Sequence, residues 1–146
     1  MFELEIKLTH DLTSQVYQDS LKIRQSVFVD EQGVPPELEI DDDETKAIYF
    51  VGYLNDQPVA TARLLPDQDG FHIQRVAVVK DYRKLHLGQE LLTALMTYAK
   101  NQKANHLSLN AQVEAVGFYQ KNGYHLTEKP EFLDAGIRHR EMRRTL

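Results

Sequence analysis

Apolar residues recur along this chain with the periods of both strands and helices. Near the start, Leu4, Ile6 and Leu8 alternate with polar residues, which is the two-residue period of a half-buried strand. Further apolar runs bounded by turn residues predict strands at about 47–54, 59–65, 71–79, 106–111, 124–127 and 138–144. The run from Val76 to Val79 is apolar on both faces, as expected for a strand at the centre of a sheet.

Three other segments carry apolar residues at intervals of three and four, which is the period of a helix. Thr13 is placed to cap the first, which ends before Gly33 because the adjoining Pro35–Pro36 pair forces a loop. The other two helices cover about residues 87–102 and 115–122. The predicted order is β-α-β-β-β-α-β-α-β-β, an α/β (α+β) fold with helices flanking a mixed, mostly antiparallel sheet of about seven strands. A chain of 146 residues suits one core, so we expect a single domain over 1–146.

Composition and charge exclude several classes of protein. The chain has no cysteine, which rules out disulfides, zinc ribbons and thiol nucleophiles. Its formal net charge of -5 disfavours nucleic acid as a partner, because binding to phosphates depends on lysine and arginine. No apolar run approaches the ~20 residues of a membrane span, and the first residues do not resemble a signal peptide. We therefore expect a cytoplasmic protein with neither a nucleic-acid partner nor a membrane partner.

Two charged runs have simple structural interpretations. The acidic run Asp41–Glu44 lacks the glycine and the glutamate of a calcium loop, because Lys46 and Gly52 stand at those positions. No histidine pair has the spacing of a catalytic zinc site, so we expect no metal. The basic run from Arg138 to Arg144 fits the solvated face of an edge strand, and pairing of the C-terminal strand suggests a homodimer.

The segment from Gln74 to Gln89 is the most informative one for chemistry. It leads from a buried strand through a basic loop into a long helix, whose unpaired N–H groups and partial positive charge suit a phosphate or pyrophosphate. Gly88 allows close approach of the backbone, and Arg83 and Lys84 add positive charge. On these grounds alone, the alternative is that Arg83 and Lys84 simply face solvent.

Several segments, in the right order, resemble one known family. Residues Arg83 to Gly88 resemble the acetyl-CoA pyrophosphate loop of the GNAT N-acetyltransferase superfamily, R/Q-x-x-G-x-G/A, and they follow a strand, Arg75 to Val78, with that family's typical sequence. Residues 115–124 match a second family pattern, A-x-x-F-Y-x-x-x-G-[FY]. Similarity to the ElaA-like or YjcF-like branch is carried by residues 23–35, 41–43 and 132–139. The resemblance therefore spans nearly the whole chain.

One loop position departs from the family pattern. His86 stands where members usually have the first loop glycine. If that position needs a positive φ, a Cβ costs on the order of 1 kcal/mol. In the alternative that we favour, the imidazole points to solvent and the backbone N–H still donates to the ligand.

The resemblance implies an acetyl-CoA-dependent N-acetyltransferase, with acetyl-CoA as the acyl-donor cosubstrate and the primary amine of a small molecule or peptide as acceptor. The amine would attack the thioester directly in a ternary complex, and N–H groups near Val76 and Val78 would stabilise the developing oxyanion. The residues implied in cofactor binding are Val76, Ala77, Val78, Arg83, Lys84, Leu85, His86, Leu87, Gly88, Gln89, Asn110 and Phe118.

The resemblance also suggests catalytic groups. Tyr119 matches the family's general acid for the leaving thiolate, with a core-packing tyrosine as the alternative. Gln74 stands where many members carry a carboxylate base, and an amide cannot accept the proton. The remaining candidate bases are Glu31, His139, Asp41 and His72, of which the first two rank highest.

Other interpretations stay open on the sequence. A noncatalytic acyl-CoA-binding or sensing module would bind coenzyme A without releasing thiol, and an interaction protein would bind no acyl-CoA at all. The acidic loop at 37–44 suits a cationic acceptor, although acidic loops are generally just solvated. Arg24 either orients an acidic acceptor or, as we expect, pairs with Asp30 or Glu31.

Overall fold

Eight strands form one sheet in the computed structural model of the chain, which describes residues 3–146. They are β1 (Glu5–Thr9), β2 (Ile48–Leu54), β3 (Gln57–Asp67), β4 (Gly70–Val78), β5 (His106–Gln112), β6 (His125–Leu126), β7 (Phe132–Asp134) and β8 (Ile137–Thr145). The strand order is β1-β2-β3-β4-β5-β8-β6, with β7 also paired to β8, and β4 and β5 are the parallel pair. The mixed, mostly antiparallel sheet is confirmed. The sequence pattern missed β7 because its three residues are too few to show a period.

The described residues form four α-helices, of which the three longer ones pack against the sheet. They are α1 (Gln15–Arg24), α2 (Pro36–Glu39), α3 (Leu87–Asn101) and α4 (Val116–Lys121), and a π-helical segment, Gln25–Glu31, continues α1. The predicted cap of α1 was wrong by one residue: Ser14 Oγ accepts the N–H of Tyr17 at 3.2 Å, whereas Thr13 donates its hydroxyl to Asp11 at 2.7 Å. Among residues 3–146, no helix is both long enough and apolar enough to cross a membrane.

The sheet separates two apolar layers. On one face, the layer under α3 and α4 includes Leu64, Ile73, Leu91, Leu95 and Leu109. On the other face, the layer under α1 and the π-helical segment includes Ile23, Val27, Val51, Tyr53 and Ala77. Residues Ile73 and Ala77 of β4 therefore point to opposite faces of the sheet, which fixes the direction of the side chains between them.

Three arginines and three carboxylates form a cluster beside β3 and β4. This buried charge cluster consists of Arg24, Glu39, Asp41, Glu44, Arg63 and Arg75. Arg24 lies 2.6 Å from Glu39 and 2.8 Å from Glu44, so the expected pairing with Asp30 or Glu31 was wrong. The physical reason is burial, because a buried guanidinium needs carboxylates that are buried with it. Three carboxylates of the acidic loop, Glu39, Asp41 and Glu44, are consequently paired with arginines and are not left open to a cationic acceptor.

The C-terminal strand is not at an edge of the sheet. β8 pairs with β5 along its length on one side and with β6 and β7 on the other. The expectation of an edge strand was therefore wrong, because the sequence does not show that the short strands before β8 fold back onto it. Most backbone groups of β8 are thus paired within the chain, and the homodimer stays a prediction.

Candidate active site

A cleft opens where the two parallel strands separate. β4 and β5 pair from Gly70 with His106 as far as Ile73 with Leu109. β5 then stays on β8 as far as Gln112, so β4 loses its neighbour on that side from Gln74 onward. The resulting cleft has a volume of about 540 Å³.

The β4 side of the cleft contains a β-bulge and two inward N–H groups. Thr61 of β3 pairs with Ala77 and Arg63 pairs with Gln74, so β4 has one extra residue between these pairs. The N–H of Val79 donates to β3 at 2.9 Å, to the carbonyl of Val59. Because this direction alternates along a strand, the N–H groups of Val76 and Val78 face away from β3 and into the cleft.

The start of α3 forms one end of the cleft. His86 is the N-cap residue, with φ 60°, ψ 22° and no side-chain capping bond, and its side chain is exposed. His86 therefore adopts the positive φ that favours glycine at this position, and its imidazole points to solvent as expected. Lys84 also has a positive φ of 73°. The first N–H groups of α3 have no partner within the helix, and a Cβ on Gly88 would lie 3.1 Å from the Phe118 ring. The unpaired N–H groups of the helix start could hold a diphosphate, and Gly88 leaves room there for the Phe118 ring.

Arg83 is fixed between this loop and the other side of the cleft entrance. Its Nη1 and Nη2 donate to the Glu31 carboxylate at 2.6 and 2.8 Å, and its Nε donates to the carbonyl of Val78 at 2.9 Å. The hydrogen bonds from Arg83 lower the pKa of Glu31. Glu31 is therefore a carboxylate held by a guanidinium at neutral pH.

Tyr119 of α4 lines the cleft and is 8% exposed. Its ring makes edge contacts with Phe118 at 5.1 Å and with Tyr124 at 6.0 Å between centroids. Burial raises the pKa of the Tyr119 phenol well above its ordinary value of 10.0. The phenol consequently carries its proton at neutral pH.

His139 of β8 lies across the cleft from β4. Its Nδ1 is 2.7 Å from the carbonyl of Ile137, and its ring stacks on Phe132 with centroids 5.8 Å apart. A carbonyl only accepts, so Nδ1 carries the hydrogen and Nε2 of the neutral ring has a free lone pair. In this tautomer Nε2 can accept a hydrogen bond.

The structure gathers most, but not all, of the residues implied by the sequence. Those that line the cleft are Val76, Ala77, Val78, Arg83, Lys84, Leu87, Gly88, Asn110, Phe118, Tyr119 and His139. Leu85, His86, Gln89 and Glu31 stand beside it rather than in its wall. Among the lower-ranked bases, His72 lines the cleft and Asp41 belongs to the buried charge cluster.

Some cleft residues were not recognised from the sequence. Gln112 donates to Gln32 at 2.9 Å, linking β5 to the loop after the π-helical segment. Ser108, which does not line the cleft itself, bonds at 2.7 Å to Nδ1 of His72, which does. The alternation of Ser108, Asn110 and Gln112 along β5 was the available signal, because alternate positions share one face of a strand. Within residues 3–146, no group of three or more histidines and acids could hold a metal ion.

A mixed sheet that splits between its two parallel strands, with an anion-binding helix start at one end of the split, defines a class of acyl-group transferases. The chain belongs to the GNAT acetyltransferases: the family described as "Acetyltransferase (GNAT) domain" matches residues 13–146. Family membership makes the chain an acetyltransferase whose acyl donor is an acyl-CoA.

Relatives and solved structures agree with this assignment. The chain is 40% identical over 126 residues to the Bacillus subtilis protein named uncharacterized N-acetyltransferase YjcF, covering 86% of this chain and 89% of that protein. The structure of Escherichia coli ElaA has a TM-score of 0.84 at 29% identity, covering 99% of each chain. An acyl-CoA N-acyltransferase from Pseudomonas aeruginosa has a TM-score of 0.85 at 25% identity, again covering 99% of each chain. The resemblance to the ElaA-like and YjcF-like branch is thereby confirmed.

Proposed function

We propose that this protein transfers the acetyl group of acetyl-CoA to a primary amine, on a small molecule or peptide, by direct attack in a ternary complex. The observation that carries the proposal is the cleft between β4 and β5, which brings the N–H groups of β4, the start of α3, Tyr119 and His139 to one cavity.

The donor is held by backbone groups. The free N–H groups at the start of α3, from Leu87 to Gln89, and the positive end of its dipole bind the pyrophosphate. Arg83, Lys84, Leu85 and His86 shape the loop around it, and Asn110 and Phe118 contact the donor from the opposite wall. The N–H groups of Val76 and Val78 bind the pantetheine and the thioester carbonyl beside Ala77. Donors fixed in this way stabilise the oxyanion that forms during attack.

His139 removes a proton from the ammonium form of the acceptor, because its Nε2 lone pair faces no protein donor within residues 3–146. The amine nitrogen then bonds to the acetyl carbon, and the carbonyl electrons move to oxygen. Glu31 is the second candidate base, but the hydrogen bonds from Arg83 that lower its pKa make it the weaker proton acceptor.

Tyr119 completes the reaction as general acid. When the carbonyl re-forms, the carbon–sulfur bond breaks and the electrons leave on sulfur as a thiolate. The Tyr119 hydroxyl donates its proton to that sulfur, and burial ensures that the phenol is protonated at the start of the step. The nitrogen, which became positively charged when it bonded to carbon, loses its second proton as the amide forms, and the Tyr119 phenolate takes up a proton in turn. His139 releases its proton to solvent.

The proposal is tested by calorimetry with acetyl-CoA and by thiol release in the presence of an amine panel. We expect saturable binding and amine-dependent thiol release. Tyr119→Phe should lower kcat by ~10²- to 10⁴-fold with an unchanged dissociation constant for acetyl-CoA. Tyr98→Phe, on α3 outside the cleft, is the matched control.

The two candidate bases are separated by His139→Gln and Glu31→Gln. We expect the histidine variant to lose most of kcat and the glutamate variant chiefly to weaken donor binding, because Glu31 holds Arg83. Binding without thiol release from any amine would favour a noncatalytic sensing module instead. Absence of binding at millimolar acetyl-CoA would reject both functions.

A further inference from the structure

The bulge in β4 places two consecutive side chains on the same face of the strand. Ile73 and Val76 pack with the layer under α3, while Ala77 packs with the layer under α1. In a regular strand only one residue separates two positions of the same face, but here Gln74 and Arg75 both lie between Ile73 and Val76. Both of them line the cleft.

The carboxamide of Gln74 has a fixed orientation. Its Oε1 accepts from Arg63 Nε at 3.0 Å and from Arg63 Nη2 at 2.7 Å. An arginine only donates, so the oxygen must face Arg63 and the Nε2 group must face away from it. Within residues 3–146, this Nε2 makes no hydrogen bond, so two N–H donors are directed toward the cleft.

Arg75 presents further donors at the same place. Its Nη2 bonds to the Glu39 carbonyl at 3.1 Å and to Asp41 Oδ2 at 3.2 Å, while its Nη1 makes no hydrogen bond in the described part of the chain. Its side chain is 21% exposed, and its backbone has a φ of 58°, which costs a residue with a Cβ on the order of 1 kcal/mol. Strain of this kind concentrates at functional sites.

We propose that Gln74 Nε2 and Arg75 Nη1 form a subsite for a hydrogen-bond-accepting oxygen, a carboxylate or a carbonyl, carried by the amine acceptor. The inference rests on the proposed transfer to an amine and names the chemical class of that amine. Two residues along a strand, such as Gln74 and Val76, span roughly 7 Å. In one acceptor molecule, an oxygen bound at Gln74 is therefore separated by only a few bonds from an amine that reaches the thioester at Val76. The acceptor is accordingly an amino acid, a peptide or a related molecule.

The donor character of the subsite argues against a simple alkylamine or a polyamine. An ammonium group also only donates, so it has no partner on Gln74 Nε2 or on a guanidinium. The two carboxylates that contact Arg75, Glu39 and Asp41, are engaged by Arg24, Arg63 and Arg75. A cationic chain placed here would therefore leave the half-buried donors of Gln74 and Arg75 without partners, whereas an oxygen would satisfy them.

Binding is tested first, without reliance on turnover. The ¹⁵N-labelled protein saturated with coenzyme A is titrated with β-alanine, β-alaninamide and propylamine, and the side-chain amide signals of Gln74 are followed by NMR. We expect saturable shifts with β-alanine, β-alaninamide or both, and at least tenfold weaker binding of propylamine. Comparison of β-alanine, which carries a carboxylate, with β-alaninamide, which carries an amide carbonyl, shows which kind of oxygen the subsite binds. Equal shifts with propylamine, or no shift with any of the three, would overturn the proposed subsite.

Kinetics then tests specificity with Gln74→Glu, which replaces the donors by a negative charge. The ratio of kcat/KM for β-alanine to kcat/KM for propylamine should fall roughly ten- to hundredfold, and Gln18→Glu on the exposed side of α1 should leave it unchanged. A ratio cancels any effect common to both acceptors. Shifts at Gln74 without thiol release would sink the proposed transfer but leave the subsite standing. Thiol release without those shifts would support the proposed transfer and overturn the subsite.

Discussion

Glu44 is the acid on which the buried charge cluster depends, and replacing it by glutamine is a sharp test of the fold. Its two oxygens accept from donors on several elements. These donors are Tyr17 Oη, Arg24 Nη1 and Nη2, the Asp41 N–H, Tyr49 Oη and Arg63 Nη1. Glutamine keeps the shape of the side chain but removes the charge and turns one acceptor into a donor.

The expected loss follows from burial. The side chains of Arg24 and Arg63 are 1% exposed, and that of Glu44 is 8% exposed. Removing one partner of a buried ion pair leaves an uncompensated charge and costs about 3 to 5 kcal/mol. For a domain of this size, each kcal/mol lowers Tm by about 2 to 4 °C, so Glu44→Gln should lower Tm by roughly 6 to 20 °C.

The pH dependence gives a second signature. Burial alone would raise the pKa of Glu44, but the hydrogen bonds and charge of Arg24 outweigh it and hold that pKa well below 4.5. A carboxyl with a depressed pKa in the fold stabilises the protein above its unfolded pKa and loses that contribution as pH falls. Wild-type stability should therefore decline below about pH 4.5, and Glu44→Gln should lack this part of the decline.

Urea unfolding at pH 7, repeated between pH 5 and pH 3, measures both effects. Asp42→Asn is the matched control, since Asp42 is exposed in the same loop and makes no hydrogen bond or ion pair within residues 3–146. Its stability should stay within about 0.5 kcal/mol of wild type. A loss below about 1 kcal/mol in Glu44→Gln would refute the reasoning that the cluster needs every carboxylate.

Two further predictions concern stability at single positions. Gly123 has a φ of 92°, and a Cβ there would lie 2.5 Å from Arg144 Nη1, so Gly123→Ala should cost about 1 to 3 kcal/mol in urea unfolding. Gly117→Ala, which meets nothing within 4 Å, should instead be neutral or stabilising; equal losses would contradict the argument. Burial lowers the pKa of His72 below 6.5, so wild-type stability should fall as pH drops below 6.5, where the unfolded chain takes up the proton first. His72→Asn should flatten that slope and His10→Asn, at an exposed site, should not; an identical slope in all three proteins would count against a buried neutral imidazole.

The periodic elements and the donor-binding loop were available from the sequence alone. The apolar stripe of α3, the alternation in β1 and the apolar runs of β2 to β5 are local patterns, because each is contained within about ten to fifteen residues. The loop from Arg83 to Gly88 is contiguous, so its chemistry could be recognised before any contact was known. The order of the longer strands and helices followed from these same segments and is confirmed, whereas the short elements α2 and β7 were missed.

The buried charge cluster was decided only by tertiary structure. Arg24 meets Glu44 across twenty residues and Arg63 meets Asp41 across twenty-two. A charged residue in the sequence carries no sign of whether it will be buried or of which opposite charge will be buried with it. The sequence therefore predicted that Arg24 pairs with its neighbour Asp30 or Glu31 and that the acidic loop is solvated.

The acceptor side of the cleft depends on register, which is a property of two strands and not of one. The extra residue between Gln74 and Ala77 becomes a bulge only against the spacing of Thr61 and Arg63 in β3. That offset turns Gln74 and Arg75 to one face and aims the N–H groups of Val76 and Val78 into the cleft. The sequence by itself determined the fold family and the donor loop, which are encoded in contiguous segments. Only the folded sheet decided which side chains meet the acceptor, because those side chains come together from strands that are distant in the chain.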